Sequence, residues 1–257
     1  MLQPKRSFWG KKPGFDTGDL LHFVVNAGFS FVIGAMVLYW GLTPLAMVLV
    51  VLSKWRIFAV QPRFWIPNIK ANLVDVAVGI SSVGLMHQSQ ESGWAYAWIV
   101  FYAVWLLFIK PKSSEIWVGV QSFTALVLGL VMLFGSLSLT EHAFVVSVLV
   151  WVVAWSSSRH FFSNFDEPHY KLLSLIWGLT VVQIAWYALH WLQYYSAGGL
   201  LISKAALLIS IMAATLGSFY YAHRSERLTK NLVIENLALS GALISVLLLT
   251  AGWSPVL

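Results

Sequence analysis

Long apolar runs separated by short polar segments recur along the whole chain. A helix needs about 20 apolar residues to cross the hydrocarbon core of a bilayer, so runs of this order with few charged residues predict membrane spans. The pattern predicts nine spans, at residues 19–40, 42–55, 71–87, 93–109, 115–136, 141–158, 170–193, 198–221 and 232–252. The second span is the shortest, because Gly41 and Pro44 precede its apolar run and Lys54 follows it. A re-entrant segment is therefore the alternative at that position.

The composition supports a membrane protein. The 257 residues are 59% apolar and 10% charged, whereas soluble domains have about 45–50% apolar and about 25% charged residues. Disorder, a coiled coil and nucleic-acid binding are disfavoured despite the net charge of +6. The chain has no Cys, which excludes disulfides, thiolate metal sites and thiol catalysis. We predict an all-α, polytopic helix bundle that forms one transmembrane domain over residues 1–257, with a basic tail at 1–18.

The basic residues indicate an orientation. With nine spans and the N-terminus in the cytoplasm, all but one of the 16 Lys and Arg residues fall on the cytoplasmic side, the exception being Lys204 in span eight. Cytoplasmic loops are enriched in Lys and Arg, so the sequence predicts a cytoplasmic N-terminus and an external C-terminus in an inner or plasma membrane. Loss of span two as a crossing would reverse every later loop.

A faint internal similarity relates spans one to four to spans five to eight. Asn26 and Gly34 in span one match Gln121 and Gly129 in span five. Because four crossings restore the orientation of the chain, a duplication here would be a parallel pseudo-repeat of the form 4+4+1.

Polar and ionisable side chains within predicted spans are the first functional candidates, because they are costly in lipid. Asn72, Asp75 and Ser82 share one face of span three. A solute or ion path is predicted to be lined by Asn26, Asn72, Asp75, Ser82, Gln183, Glu235 and Asn236. The alternative is a helix-packing face, with Asp75 paired to an Arg of the inner side.

Two groups of residues contain the side-chain types that bind metals. The first is the polar inner loop between spans six and seven, and the second is spread over the outer ends of spans three, six and seven. The candidate ligands are His160, Asp166, Glu167 and His169 in the first group, and His87, His142 and His190 in the second. A solvated loop that caps span seven is the alternative for the first group. The sequence identifies no cofactor.

Nine crossings with the longest inner loops after spans two and six resemble the topology of the UbiA-type prenyltransferases. That family binds prenyl diphosphate through Asp-rich motifs in these two loops. Asp166 and Glu167 in the second loop are distantly similar to such a motif, whereas the first loop, 56–70, has no acidic residue. The resemblance is therefore one of topology. It implies a membrane-embedded transferase that acts at the cytoplasmic face on a lipid-linked phosphate, held by Arg56, Arg63, Arg159, Arg224 and Arg227.

Three functions remain open at this stage. A small permease-like transporter of a solute or ion is placed first, the transferase second, and a structural subunit of a larger membrane complex third. Whether the protein is an enzyme stays undecided. Membrane lipids are the expected partners, further copies of the chain or other membrane subunits are alternatives, and nucleic acid is not expected.

Overall fold

The computed structural model describes residues 17–89, 93–136, 139–191, 194–197 and 200–250. Within these ranges the chain forms nine α-helices and one β-hairpin. The helices are α1 (Thr17–Leu38), α2 (Thr43–Leu52), α3 (Trp65–Gln88), α4 (Trp94–Val104), α5 (Glu115–Ser136), α6 (Leu139–Ser163), α7 (Tyr170–Trp191), α8 (Lys204–Arg224) and α9 (Lys230–Leu249). The predicted all-α class is confirmed. Most of the predicted basic tail, residues 1–16, lies outside the described residues.

Six of the described helices, α3 and α5 to α9, are long and apolar enough to cross a membrane, and three shorter apolar helices accompany them. The protein is therefore a multi-pass membrane protein. Helix α2 has ten residues, which is about 15 Å at 1.5 Å per residue and half of the roughly 30 Å hydrocarbon core. Its shortness follows from Gly41, which turns the chain with a positive φ of 65°, and from Lys54 just beyond its end.

The predicted start of span eight is wrong. Two strands, β1 (Tyr194–Ala197) and β2 (Leu200–Ser203), pair in antiparallel fashion, and α8 begins only at Lys204. The error arose because the strands are as apolar as the helices beside them. Helix α4 continues as a π-helical turn over Trp105–Ile109.

The helices form two groups. In the first group, α1 contacts α2 and α4, and α3 packs between α2 and α4. In the second group, α5 contacts α6 and α8, while α7 contacts α6 and α8. The groups meet where α3 packs on α5 and α6, and α9 packs on α8 at the edge of the bundle. Buried apolar side chains form one continuous core across both groups.

Side-chain contacts show which helix ends lie together. At one end, Gln121 donates to the carbonyl of Ile109, His160 contacts Gln121, and Arg224 donates to the carbonyl of Phe165. We call this the basic end, because many of the Lys and Arg residues lie here at the ends of helices. At the opposite end, Lys204 Nζ donates to the carbonyl of Thr250 over 2.7 Å.

Candidate functional site

A buried ion cluster occupies the first helix group. Asp75 Oδ2 on α3 contacts Lys54 Nζ, just after α2, and Lys110 Nζ, just after the π-helical turn, the latter at 2.7 Å. Asp75 Oδ1 accepts a hydrogen bond of 2.9 Å from Trp105 Nε1. Lys54 and Asp75 are buried, whereas the Lys110 side chain is 38% exposed. Both carboxylate oxygens are thereby engaged, and the cluster joins α2, α3 and α4.

The polar face of α3 packs against neighbouring helices. Asn72 donates to the carbonyl of Asn68, and Ser82 donates to that of Val78. At Gly79, one turn beyond Asp75, an added Cβ would lie 2.5 Å from Val50 Cγ1 and 3.0 Å from Tyr102 Oη. These contacts favour the packing interpretation of the face, with lysines in place of the predicted Arg.

The other predicted path residues lie on helices other than α3. Asn26 is half-buried on α1, and Gln183 is exposed on α7. Glu235 is exposed on α9, while Asn236 accepts a hydrogen bond from Ser218 across the α8–α9 contact. Because α9 packs on α8, the two predicted carboxylates Asp75 and Glu235 are in different parts of the bundle. Gln183 therefore lies in the second helix group and Glu235 and Asn236 on α9, outside the group that holds Asp75.

Neither predicted metal set is assembled. His160 contacts Gln121 at 3.1 Å, and His169 lies 3.9 Å from Glu167. His87 contacts Thr43 at the opposite end, whereas His190 contacts the carbonyl of Trp186. Across the part of the chain that the structure describes, no three His, Asp or Glu side chains form a group that could hold a metal ion.

The predicted phosphate-binding arginines fall into separate places. Arg63 is exposed and lies over the ring of Phe64 in the loop before α3. Arg159 lies over Tyr170, 5.6 Å from the ring centroid, and Arg224 holds the carbonyl of Phe165. Arg227 is exposed after α8. The side chain of Arg56 is not described.

A large cavity, which the sequence did not predict, lies inside the second helix group. It has a volume of about 680 Å³ and is lined by α5, α6, α7 and α8. Its lining is mostly apolar and includes Phe123, Leu126, Trp177 and Ala213. This volume falls within the range of roughly 300–1,000 Å³ that is typical of small-molecule sites.

An aromatic cluster lines the cavity at the basic end. Phe161, Phe162 and Phe165 pack around Tyr220, with ring centroids 5.0 to 5.7 Å apart. Two bonds tie the loop after α6 to α8: Tyr220 Oη donates to Glu167 Oε2 over 2.6 Å, and Arg224 donates to the carbonyl of Phe165 over 2.6 Å. We call these two bonds the clasp. The hydrogen bond from Tyr220 lowers the pKa of the Glu167 carboxyl.

The sides of the cavity reach the lipid-facing surface. Ile116 on α5, Ile176 on α7 and Leu216 on α8 line the cavity, yet each is more than half exposed. Gly217 on α8 has open space where a Cβ would be, and the same Cβ on Gly119 would meet only Phe161, at 3.8 Å. An apolar molecule can therefore enter from the bilayer.

Sequence reasoning had only a weak signal for this site. Small residues on the facing helices, such as Gly119, Ala213 and Gly217, leave the volume open, and aromatic pairs mark its basic end.

In comparisons with known proteins, no family model matches the chain, and neither does any curated protein or solved structure.

Proposed function

We propose that this membrane protein binds an anionic lipid, with the apolar chain in the cavity and the charged headgroup at the basic end. The single observation that carries the proposal is the cavity of about 680 Å³ with an apolar lining. An empty space of this size and polarity forfeits packing contacts, whereas lipid chains are available on every side.

Charge complementarity supports an anionic headgroup. Arg159 and Lys171 lie over the ring of Tyr170, and Arg224 lies one turn beyond Tyr220, at the basic end of the cavity. Within the described residues no carboxylate lies within ion-pair distance of Arg159 or Arg224, although the Glu167 carboxylate attracts Arg224 at longer range and Glu115 lines the cavity. A phosphate would supply the missing charge-assisted hydrogen bonds.

The proposal retains part of the predicted transferase function, namely a lipid-linked phosphate at one face, and assigns no reaction. Transport, the function predicted first, is less favoured because Asp75 is held by two lysines and by Trp105 rather than facing a route.

We further propose nine crossings with the basic end in the cytoplasm of an inner or plasma membrane. The contact of the first helix with the fourth in both groups supports the 4+4+1 arrangement.

Bound lipid measured by native mass spectrometry tests the function. Full-length protein is stripped of lipid in detergent and titrated with dioleoylphosphatidylglycerol. Gly217→Leu fills the cavity from α8 and should weaken binding by about tenfold or more, equivalent to about 1.4 kcal/mol. The matched control is Gly241→Leu on α9, where an added Cβ also meets no atom within 4 Å but no cavity is lined. Equal binding by both variants and the parent protein would refute the proposal.

A further inference from the structure

One buried hydroxyl in the cavity wall distinguishes among lipid classes. Ser157 on α6 lines the cavity and is only 3% exposed. Among the contacts of the described residues, its Oγ has no hydrogen-bond partner. A buried hydroxyl without a partner is unfavourable, and a serine side chain reorients by one rotation about χ1.

Three other cavity-lining hydroxyls differ from Ser157, because they bond to the backbone of their own helices. Ser122 donates to the carbonyl of Val118, Ser158 to that of Ala154, and Thr180 to that of Ile176. Two more have side-chain partners, since Ser218 donates to Asn236 and Tyr220 to Glu167. Among these six hydroxyls, Ser157 is the one without a hydrogen-bond partner and gains most from a ligand oxygen.

The depth of Ser157 indicates which oxygen it would meet. Ser157 precedes Arg159 by two residues, or about 3 Å along the helix axis. With Arg159 at headgroup level, Ser157 lies at the boundary between the interfacial layer and the hydrocarbon core. The ester groups of an acyl lipid lie at this boundary, just below the phosphate, whereas the chain of a polyprenyl phosphate carries no oxygen there.

We infer that the cavity selects an acyl-ester phospholipid, one of whose ester carbonyls accepts a hydrogen bond from Ser157 Oγ while its phosphate lies toward Arg224. The inference rests on the proposed function, because it requires that the cavity holds a lipid chain. It adds the chemical class of the ligand. The polar contact lies at the head of the chain, and the remainder of the chain contacts apolar side chains.

The test compares three probe lipids on the stripped, full-length protein by native mass spectrometry. The probes are dioleoylphosphatidylglycerol, its ether-linked analogue with the same chains and headgroup, and a polyprenyl phosphate. The parent protein should bind the ester lipid about three- to tenfold more tightly than the ether lipid, the range expected for one hydrogen bond. Ser157→Ala should remove this preference, whereas the matched control Ser158→Ala should retain it.

The outcomes separate the inference from the proposed function. If ester and ether lipids bind equally and Ser157→Ala behaves like Ser158→Ala, the inference is wrong, while a loss of binding in Gly217→Leu still supports a lipid-binding cavity. If polyprenyl phosphate binds most tightly, the ligand is an isoprenoid and the ester assignment is overturned. If Gly217→Leu leaves binding of every probe unchanged, both proposals fail.

Discussion

The two helix groups differ in how their interiors are packed within the membrane. The first group closes tightly around an ion cluster, Lys54, Asp75 and Lys110, and its helices approach closely at Gly79. The second group encloses a cavity of about 680 Å³, where Gly217 faces open space. The comparison teaches that the charged residues of a membrane bundle need not mark its ligand site: here they hold helices together, and the binding space is lined mostly by apolar side chains of the other group.

A physical reason underlies this division. Helices in lipid gain no hydrophobic driving force by associating, so close packing and interhelical polar contacts hold them together. The ion cluster supplies such contacts in the first group. In the second group the corresponding volume is left open, and a lipid chain that fills it supplies the missing packing contacts.

The largest expected effect comes from removing the carboxylate of the cluster. Asp75→Asn leaves two lysines without their counter-charge, and Lys54 is buried. Breaking a buried ion pair in this way costs about 3–5 kcal/mol. We therefore expect a large fall in the free energy of unfolding, measured by denaturant titration in detergent micelles.

Two further variants make that result specific. Asp166→Asn in the exposed loop before α7 is the control and should leave the free energy of unfolding nearly unchanged. The double variant Asp75→Asn with Lys54→Met removes one charge of each sign, leaves the more exposed Lys110 to water, and should recover most of the loss. A loss below about 1 kcal/mol in Asp75→Asn would mean that the cluster does not hold the first group together.

A second prediction compares two glycine substitutions that should change the free energy of unfolding in opposite directions. Gly79→Ala places a methyl group against Val50 and Tyr102, and such overpacking costs about 1–3 kcal/mol. Gly217→Ala adds the same methyl group in open space and should stabilise the protein by about 0.5–1 kcal/mol, because alanine is a better helix former than glycine. Unfolding titrations of both variants measure the difference. Equal effects would contradict the difference in packing between these two positions.

Sequence patterns predicted the architecture better than the site. The span at 115–136 matches α5, because an apolar run of sufficient length has few alternatives in a membrane. The hairpin at 194–203 escaped prediction because apolar strands and apolar helices are hard to distinguish over four residues. Nine crossings, the orientation and the pseudo-repeat stay predictions.

The candidate site shows which features sequence patterns could not predict. The sequence singled out Asp75 as a costly charge, but its partners Lys54 and Lys110 are 21 and 35 residues away in the chain, so only the tertiary fold pairs them. The cavity is harder still to predict, because it is a volume that depends on how four helices diverge. Ser157 differs from Ser158 only in its surroundings.

The smallest expected effect concerns the clasp at the basic end of the cavity. The bond from Tyr220 lowers the pKa of Glu167, so this bond stabilises the folded protein above the ordinary carboxyl pKa of about 4.3. The stabilisation is lost as the pH falls through the lower, folded-state pKa.

Between pH 6 and pH 3 the melting temperature should therefore fall further in the parent protein than in Glu167→Gln or Tyr220→Phe. Asp166→Asn, which leaves the clasp intact, should follow the parent. Since the clasp contacts only the second group, acid should weaken retention of lipid in the cavity. Parallel pH profiles for the parent and Glu167→Gln would show that the clasp contributes nothing to that end of the bundle.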